Sequence, residues 1–228
     1  MKLKAFKAAL PYTLPILTGY LFLGFAYGIL MSDKGFSIIW TILMASCVFA
    51  GAMQFAAIPL LLSTFNPLLV FMMTLLVNIR HLFYGLSMLD KYKDAGWKKY
   101  LMIFMLADEA FSVSVAANVD EKVNKQWFYF FVSLICYLYW QAACIGGHLF
   151  AVFIPMKIVG LDFTLTALFY VMILNQWDKL SNRKYVLLGF GLTLIALILV
   201  GKTQFLLLAM LMILLVFVFI PEKQHDQS

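Results

Sequence analysis

Three short stretches of this sequence set amide or ionisable side chains among neighbours that are almost all apolar. Leu76-Val77-Asn78-Ile79-Arg80-His81-Leu82-Phe83-Tyr84-Gly85 carries an amide, a guanidinium and an imidazole within about one helical turn. Leu106-Ala107-Asp108-Glu109-Ala110-Phe111-Ser112 carries two adjacent carboxylates, with a hydroxyl one turn further on. Phe49-Ala50-Gly51-Ala52-Met53-Gln54-Phe55 carries one amide amid small residues. An arginine at the centre of a membrane helix costs roughly 2.5–3.5 kcal/mol on insertion scales, so intramembrane ionisable groups line a cavity or pathway, or pair with one another. Gln54, Asn78, Arg80, His81, Asp108, Glu109 and Ser112 are therefore the candidate substrate-binding or translocation residues. Asp108 and Glu109 are also candidate proton carriers, because one arginine cannot neutralise two carboxylates. At 100° per residue Asn78 and His81 lie about 60° apart on one helix face, with Arg80, Tyr84 and Ser87 nearly opposite. Ser112 is placed to bond either carboxylate. The competing readings are that Arg80 snorkels to the interface, or that it pairs with a carboxylate only to fix the fold.

The elements that must position these groups follow from composition. The 228 residues are 64% hydrophobic and 12% charged, with a mean hydropathy of +0.93. Soluble domains run at about 45–50% apolar and 25% charged, so a soluble fold is excluded and lipid must cover the remaining apolar surface. The reading is an all-α integral membrane protein, one transmembrane transport domain over 1–228, with a cytoplasmic N-terminus at 1–9 and a solvated tail at 221–228. A crossing needs about 20 apolar residues, and eight runs approach that length: 10–31, 37–63, 67–89, 99–119, 127–153, 161–177, 185–200 and 204–220. Trp97, Tyr100, Trp127, Trp177 and Tyr185 stand at their ends, where interfacial aromatics belong. The fourth run reads as one helix with Asp108 and Glu109 near its middle. Met1-Lys2-Leu3-Lys4-Ala5-Phe6-Lys7 and the run after it read as a retained first helix rather than a cleaved leader.

The net charge of +6 sits mostly in short gaps between runs, so it reads as a topology signal and not as a nucleic-acid surface. It poses a conflict. If Lys2, Lys4 and Lys7 are cytoplasmic, eight full crossings put Lys91, Lys93, Lys98 and Lys99 on the other side. A second run that is broken or re-entrant removes that conflict but moves Lys179, Arg183 and Lys184 outside, so charge leaves seven and eight crossings open. The small residues around Gln54 suit either close helix packing or a break whose freed backbone groups meet a ligand. Gly24-Phe25-Ala26-Tyr27-Gly28 reads as a packing motif, His148 as a hydrogen-bonded packing residue, and Cys47, Cys136 and Cys144 as apolar filler. No metal-ligand, nucleophile, Walker or dinucleotide motif is present. The sequence makes no case for an enzyme, a metal or a cofactor.

The ordered series Phe49-Ala50-Gly51-Ala52-Met53-Gln54-Phe55-Ala56, Asn78-Ile79-Arg80-His81-Leu82-Phe83-Tyr84-Gly85 and Asp108-Glu109-Ala110-Phe111, with Gly160-Leu161-Asp162-Phe163, resembles the AzlC family of branched-chain amino acid permeases. The resemblance implies export of the leucine, isoleucine and valine class across a bacterial cell membrane, driven by a proton or ion gradient. It also implies a small hydrophobic AzlD-type subunit as partner. A zwitterionic substrate then needs a donor for its carboxylate, here Arg80 or a broken-helix N-terminus, and an acceptor for its ammonium, here Asp108 or Glu109. Phe49, Phe55, Phe83 and Phe111 are candidate pocket walls. The rival from another class is an accessory subunit whose buried polar residues are purely structural.

Overall fold

The computed structural model describes residues 1–154, scattered positions between 160 and 177, and residues 183–219. Most of the sixth apolar run, Leu161-Asp162 among it, and the tail at 221–228 lie outside the described residues. The chain forms two compact units, one of Met1–Phe65 with Val77–Leu165, the other of Asn66–Leu76 with Thr166–Ser228. Among the described residues all regular structure is helical. In order these are α1 (Lys2–Asp33), α2 (Ile38–Leu43) running into a π-helical turn (Met44–Val48), α3 (Gly51–Leu62), α4 (Pro67–Met88), α5 (Lys98–Phe104), α6 (Asp108–Ala116), α7 (Lys125–Phe153) and α8 (Arg183–Phe219). α8 is broken at Gly201, whose φ of 67° and ψ of −175° are not helical. Among the described residues four helical stretches are long and apolar enough to cross a membrane: Lys2–Asp33, Pro67–Met88, Lys125–Phe153 and Arg183–Gly201.

The sequence sets the starts of two of these. Asn66 accepts from the Leu69 N–H at 3.1 Å, just ahead of Pro67 in the first turn of α4, and Asn124 accepts from the Trp127 N–H at 3.0 Å to cap α7. α1 carries Pro11 and Pro15 and stays helical through both.

In the first unit α1 and α7 run parallel. Phe6 packs on Phe131, Tyr20 on Trp140 and Phe25 on Phe150. Glycines set the approach between them. A Cβ on Gly28 would collide with the α7 backbone at Cys144 and His148, and one on Gly147 with the carbonyl of Phe25. The Gly24-to-Gly28 motif is thus used for packing, as its spacing suggests.

The second apolar run is not one helix. α2 begins beside the C-terminal end of α7, where Thr41 bonds His148 at 2.8 Å. It descends past Gln141, which accepts from Ser46 at 3.2 Å, to the ring of Tyr137, 4.8 Å from that of Phe49. There the chain turns: Phe49 is left-handed (φ 40°, ψ 43°) and Ala50 extended. α3 then climbs back from Trp140 to Tyr27, whose ring is 5.3 Å from that of Phe55. Its 12 residues span about 18 Å, against roughly 30 Å of hydrocarbon. The run is broken and returns, which is one of the two arrangements that the lysine distribution left open.

The fourth run corrects the sequence reading. It is two helices, α5 and α6, separated at Met105-Leu106-Ala107 with Ala107 extended (φ −102°, ψ 170°). This hairpin enters from the other end of the α1–α7 pair, where Lys98 lies 4.6 Å from the Trp127 ring. It reaches Tyr137 with Phe104 at 6.2 Å and Tyr20 with Glu109, then returns until the Asn118 carbonyl accepts from Tyr12 at 3.3 Å. Asp108 and Glu109 open α6 rather than sitting within a continuous helix. Carboxylates are stabilised in a first helical turn by the unpaired N–H groups there, which is what this position supplies. The conflict over Lys91, Lys93, Lys98 and Lys99 disappears as well. Lys2 and Lys98 both stack on Trp127 at 4.6 Å, and Gln126 donates to the carbonyl of Lys91 at 2.9 Å. The N-terminal lysines and the lysines of the 91–99 segment therefore share one end of the unit.

Candidate functional site

Both hairpin tips come to the middle of the α1–α7 pair and share neighbours there. Phe49 and Phe104 flank Tyr137, and the Tyr20 and Trp140 rings meet edge to face at 5.3 Å. Trp140 Nε1 donates to Gln54 Oε1 at 2.7 Å on the first tip, and the Tyr20 hydroxyl donates to Glu109 Oε2 at 2.7 Å on the second. Beside Glu109, Arg80 reaches from α4 to Asp108 with 2.6 Å between Nη1 and Oδ2. Gln54, Trp140, Tyr20, Glu109, Asp108 and Arg80 thus form a polar chain through the apolar interior of the unit.

The two carboxylates have different surroundings. Asp108 has a cation. Glu109 has a phenol and its own backbone N–H, and among the described residues no Lys or Arg pairs with it. The chain is also incompletely satisfied: Gln54 Nε2, Tyr27 Oη, Asn78 Oδ1, Arg80 Nε and Asp108 Oδ1 are buried without a hydrogen-bond partner among the described residues. Buried polar atoms are mostly bonded; further atoms without a partner belong to Tyr92, Ser114, Gln126, Ser133 and Gln141.

Of the residues chosen from sequence, the structure brings together Gln54, Arg80, Asp108 and Glu109. Asn78 and His81 stay on α4, where His81 Nδ1 lies 3.3 Å from the Asn78 carbonyl. Ser112 is exposed and bonds neither carboxylate; the buried serine of α6 is Ser114. Among the proposed pocket walls Phe49 and Phe55 are buried, Phe111 stacks on Tyr84 at 4.4 Å, and Phe83 is 60% exposed. Tyr20, Tyr27 and Trp140 were missed. The signal for Tyr20 and Trp140 is depth: tyrosine and tryptophan in membrane helices favour the interfaces, and these two stand well inside their runs, where a phenol or indole N–H needs a partner. A cleft of about 450 Å³, lined by Phe36, Ser37, Ile38 and His148 among others, opens where α1 turns into α2. The described residues hold no group of His, Cys, Asp and Glu fit for a metal.

Apolar membrane-length helices, two hairpins that stop halfway and ionisable groups held where those hairpins meet define a polytopic α-helical membrane protein. Residues 15–154 match the family described as AzlC protein, and the chain belongs to that family. It is 50% identical to the branched-chain amino acid transport protein AzlC of Bacillus subtilis, over 92% of this chain and 83% of that one. It is 40% identical to an uncharacterized membrane protein of Haemophilus influenzae, over 90% and 84%, and 26% identical to the inner membrane protein YgaZ of Escherichia coli, over 73% and 71%. No solved structure matches it.

Proposed function

We propose that this chain is a secondary transporter that exports branched-chain amino acids across the bacterial cytoplasmic membrane, coupled to a proton or ion gradient and working with a small hydrophobic AzlD-type subunit. The observation that carries the reading is Glu109: a carboxylate at a half-crossing helix start, with no cation paired to it among the described residues, next to one already neutralised by Arg80. Such a group is free to take the substrate's ammonium or a proton in turn. Half-crossing helices around interior polar groups are also the usual way in which secondary transporters build a site. Family membership and the name of the Bacillus subtilis relative support the substrate class.

The test is leucine and valine flux in liposomes holding this chain and its small partner, with and without an imposed pH gradient. Glu109→Gln is expected to abolish the dependence on the gradient, while Asp108→Asn lowers flux and keeps that dependence. Gradient-driven flux that survives Glu109→Gln unchanged refutes the coupling role. The accessory-subunit reading draws on the fact that both carboxylates have protein partners. Absence of flux for any amino acid from folded protein would favour it.

A further inference from the structure

The two tips are electrically unlike. α6 starts with Asp108 and Glu109, so its free N–H groups already face carboxylates of their own first turn. α3 starts with Gly51-Ala52-Met53, has no acidic residue in its first turn and no side-chain cap. Among the described residues nothing accepts from the N–H groups of Gly51, Ala52 or Met53; the first intrahelical bond is Gln54 N–H to Ala50 C=O at 2.8 Å. Three donors at the positive end of a 12-residue helix therefore stand open inside the protein.

A second observation is independent of the helix end. Gln54 is fully buried, its Oε1 is held by Trp140, and among the described residues its Nε2 has only the Tyr27 hydroxyl beside it. Gly51 and Gln54 are three apart on one face, and both touch Trp140: a Cβ on Gly51 would lie 3.1 Å from the indole. Gly51 and Gln54 thus share the face of α3 that meets Trp140, and helix side chains lean back towards the N-terminal turn. The Tyr27 hydroxyl, also fully buried, faces the Gln54 amide from α1, and with that amide as its donor its own O–H has no acceptor among the described residues. Donors without an acceptor, gathered at a helix N-terminus, call for an anion.

We propose that the start of α3, with Gln54 and Tyr27, is the subsite for the substrate's carboxylate, and that Arg80 is not. The assignment rests on the transporter reading above and sharpens it. Arg80 is committed to Asp108, so the open positive pole is the α3 tip and the open negative one is Glu109. A zwitterion is the ligand class that such a pair of tips selects, and a free inorganic cation meets the wrong pole at α3.

The test uses the folded chain in lipid nanodiscs and equilibrium dialysis with three labelled probes: leucine, 4-methylpentanoate, which lacks the ammonium, and 3-methylbutylamine, which lacks the carboxylate. Gln54→Glu sets a competing carboxylate at the tip and is expected to weaken leucine and 4-methylpentanoate by at least about tenfold, the worth of a charge-assisted hydrogen bond, while 3-methylbutylamine is unaffected or gains. Tyr27→Phe keeps the ring on Phe55 and removes one donor, with a loss of about fivefold for the carboxylate probes only; it decides the matter where Gln54→Glu does not fold. Leucine affinity unchanged in both variants, or an equal loss for the amine, overturns the subsite and leaves the transporter reading standing. Gln54-dependent binding of 4-methylpentanoate without any leucine binding keeps the subsite and overturns the amino acid reading. Binding of none of the probes by the unmodified chain overturns both.

Discussion

The Arg80–Asp108 pair gives the most direct measurement of whether these charges are held against lipid or against water. Its side chains are 27% and 36% exposed, so neither limiting case applies. Removing one partner of a fully buried pair costs about 3–5 kcal/mol, and an exposed pair is worth about 0–1 kcal/mol. At roughly a third exposure the expected cost of Asp108→Asn or Arg80→Gln is about 1–2 kcal/mol. For a chain of this size that lowers the melting temperature by about 2–8 °C. The double variant Arg80→Gln/Asp108→Asn leaves no lone charge and should recover at least half of either single loss, a coupling of about 1 kcal/mol. The buried thiols of Cys136 and Cys144 supply the assay: a thiol-reactive dye reports their exposure as the detergent-solubilised protein is heated, over a constant signal from the exposed Cys47. Losses that simply add in the double variant would show that the two groups are independently solvated, and the interior polar chain would lose one of its links.

Gly28→Ala forces a methyl into the α7 backbone and should cost 3 kcal/mol or more, visible as a melting temperature lowered by at least about 6 °C. Gly19→Ala on the same helix meets nothing within 4 Å and should be neutral or slightly stabilising; equal effects from the two would discount the glycine contact. In a cysteine-free background, Lys4→Cys, Lys93→Cys and Asp120→Cys are expected to react with an impermeant maleimide from one side of the membrane, and Lys34→Cys and Ser63→Cys from the other. Labelling of Lys4→Cys and Asp120→Cys from opposite sides would rule out the α5–α6 hairpin. Thr41→Val removes the bond to His148 and should cost about 1 kcal/mol in the same thermal assay.

Much of the candidate site was legible because its residues are expensive. Gln54, Arg80, Asp108 and Glu109 stand out in a chain that is only 12% charged, and the structure gathers all four at the hairpin tips. The first break was signalled by Gly51 amid small residues and by lysines that full crossings left on the wrong side. The second was not, because Met105-Leu106-Ala107 contains neither glycine nor proline; its mark is the Asp-Glu pair, which suits a helix start better than a helix middle. Ser112 was overvalued for a related reason: its spacing assumed that the carboxylates lay within a continuous helix, and Ser112 points outward. Tyr20 and Trp140, the links between the tips, share their residue types with the interfacial belt, and only their depth within a run tells them apart.

The parallel α1–α7 pair fixes an order of assembly. Glu109, the partner of the Tyr20 hydroxyl, is made 89 residues later, and Trp140 and the backbone that Gly28 grips come later still. At about 5–20 residues per second the bonding partner alone arrives after about 4–18 s, a long delay for a helix already in lipid with its glycine seam open. Neither hairpin spans the bilayer, so neither can be inserted to stay on its own account; each must be laid against α1 before α7 closes over it. The last long element of the unit to be synthesised is the one that locks the earliest in place, so a chain stalled before residue 125 leaves α1 with an unfilled groove and two half-crossings without a wall.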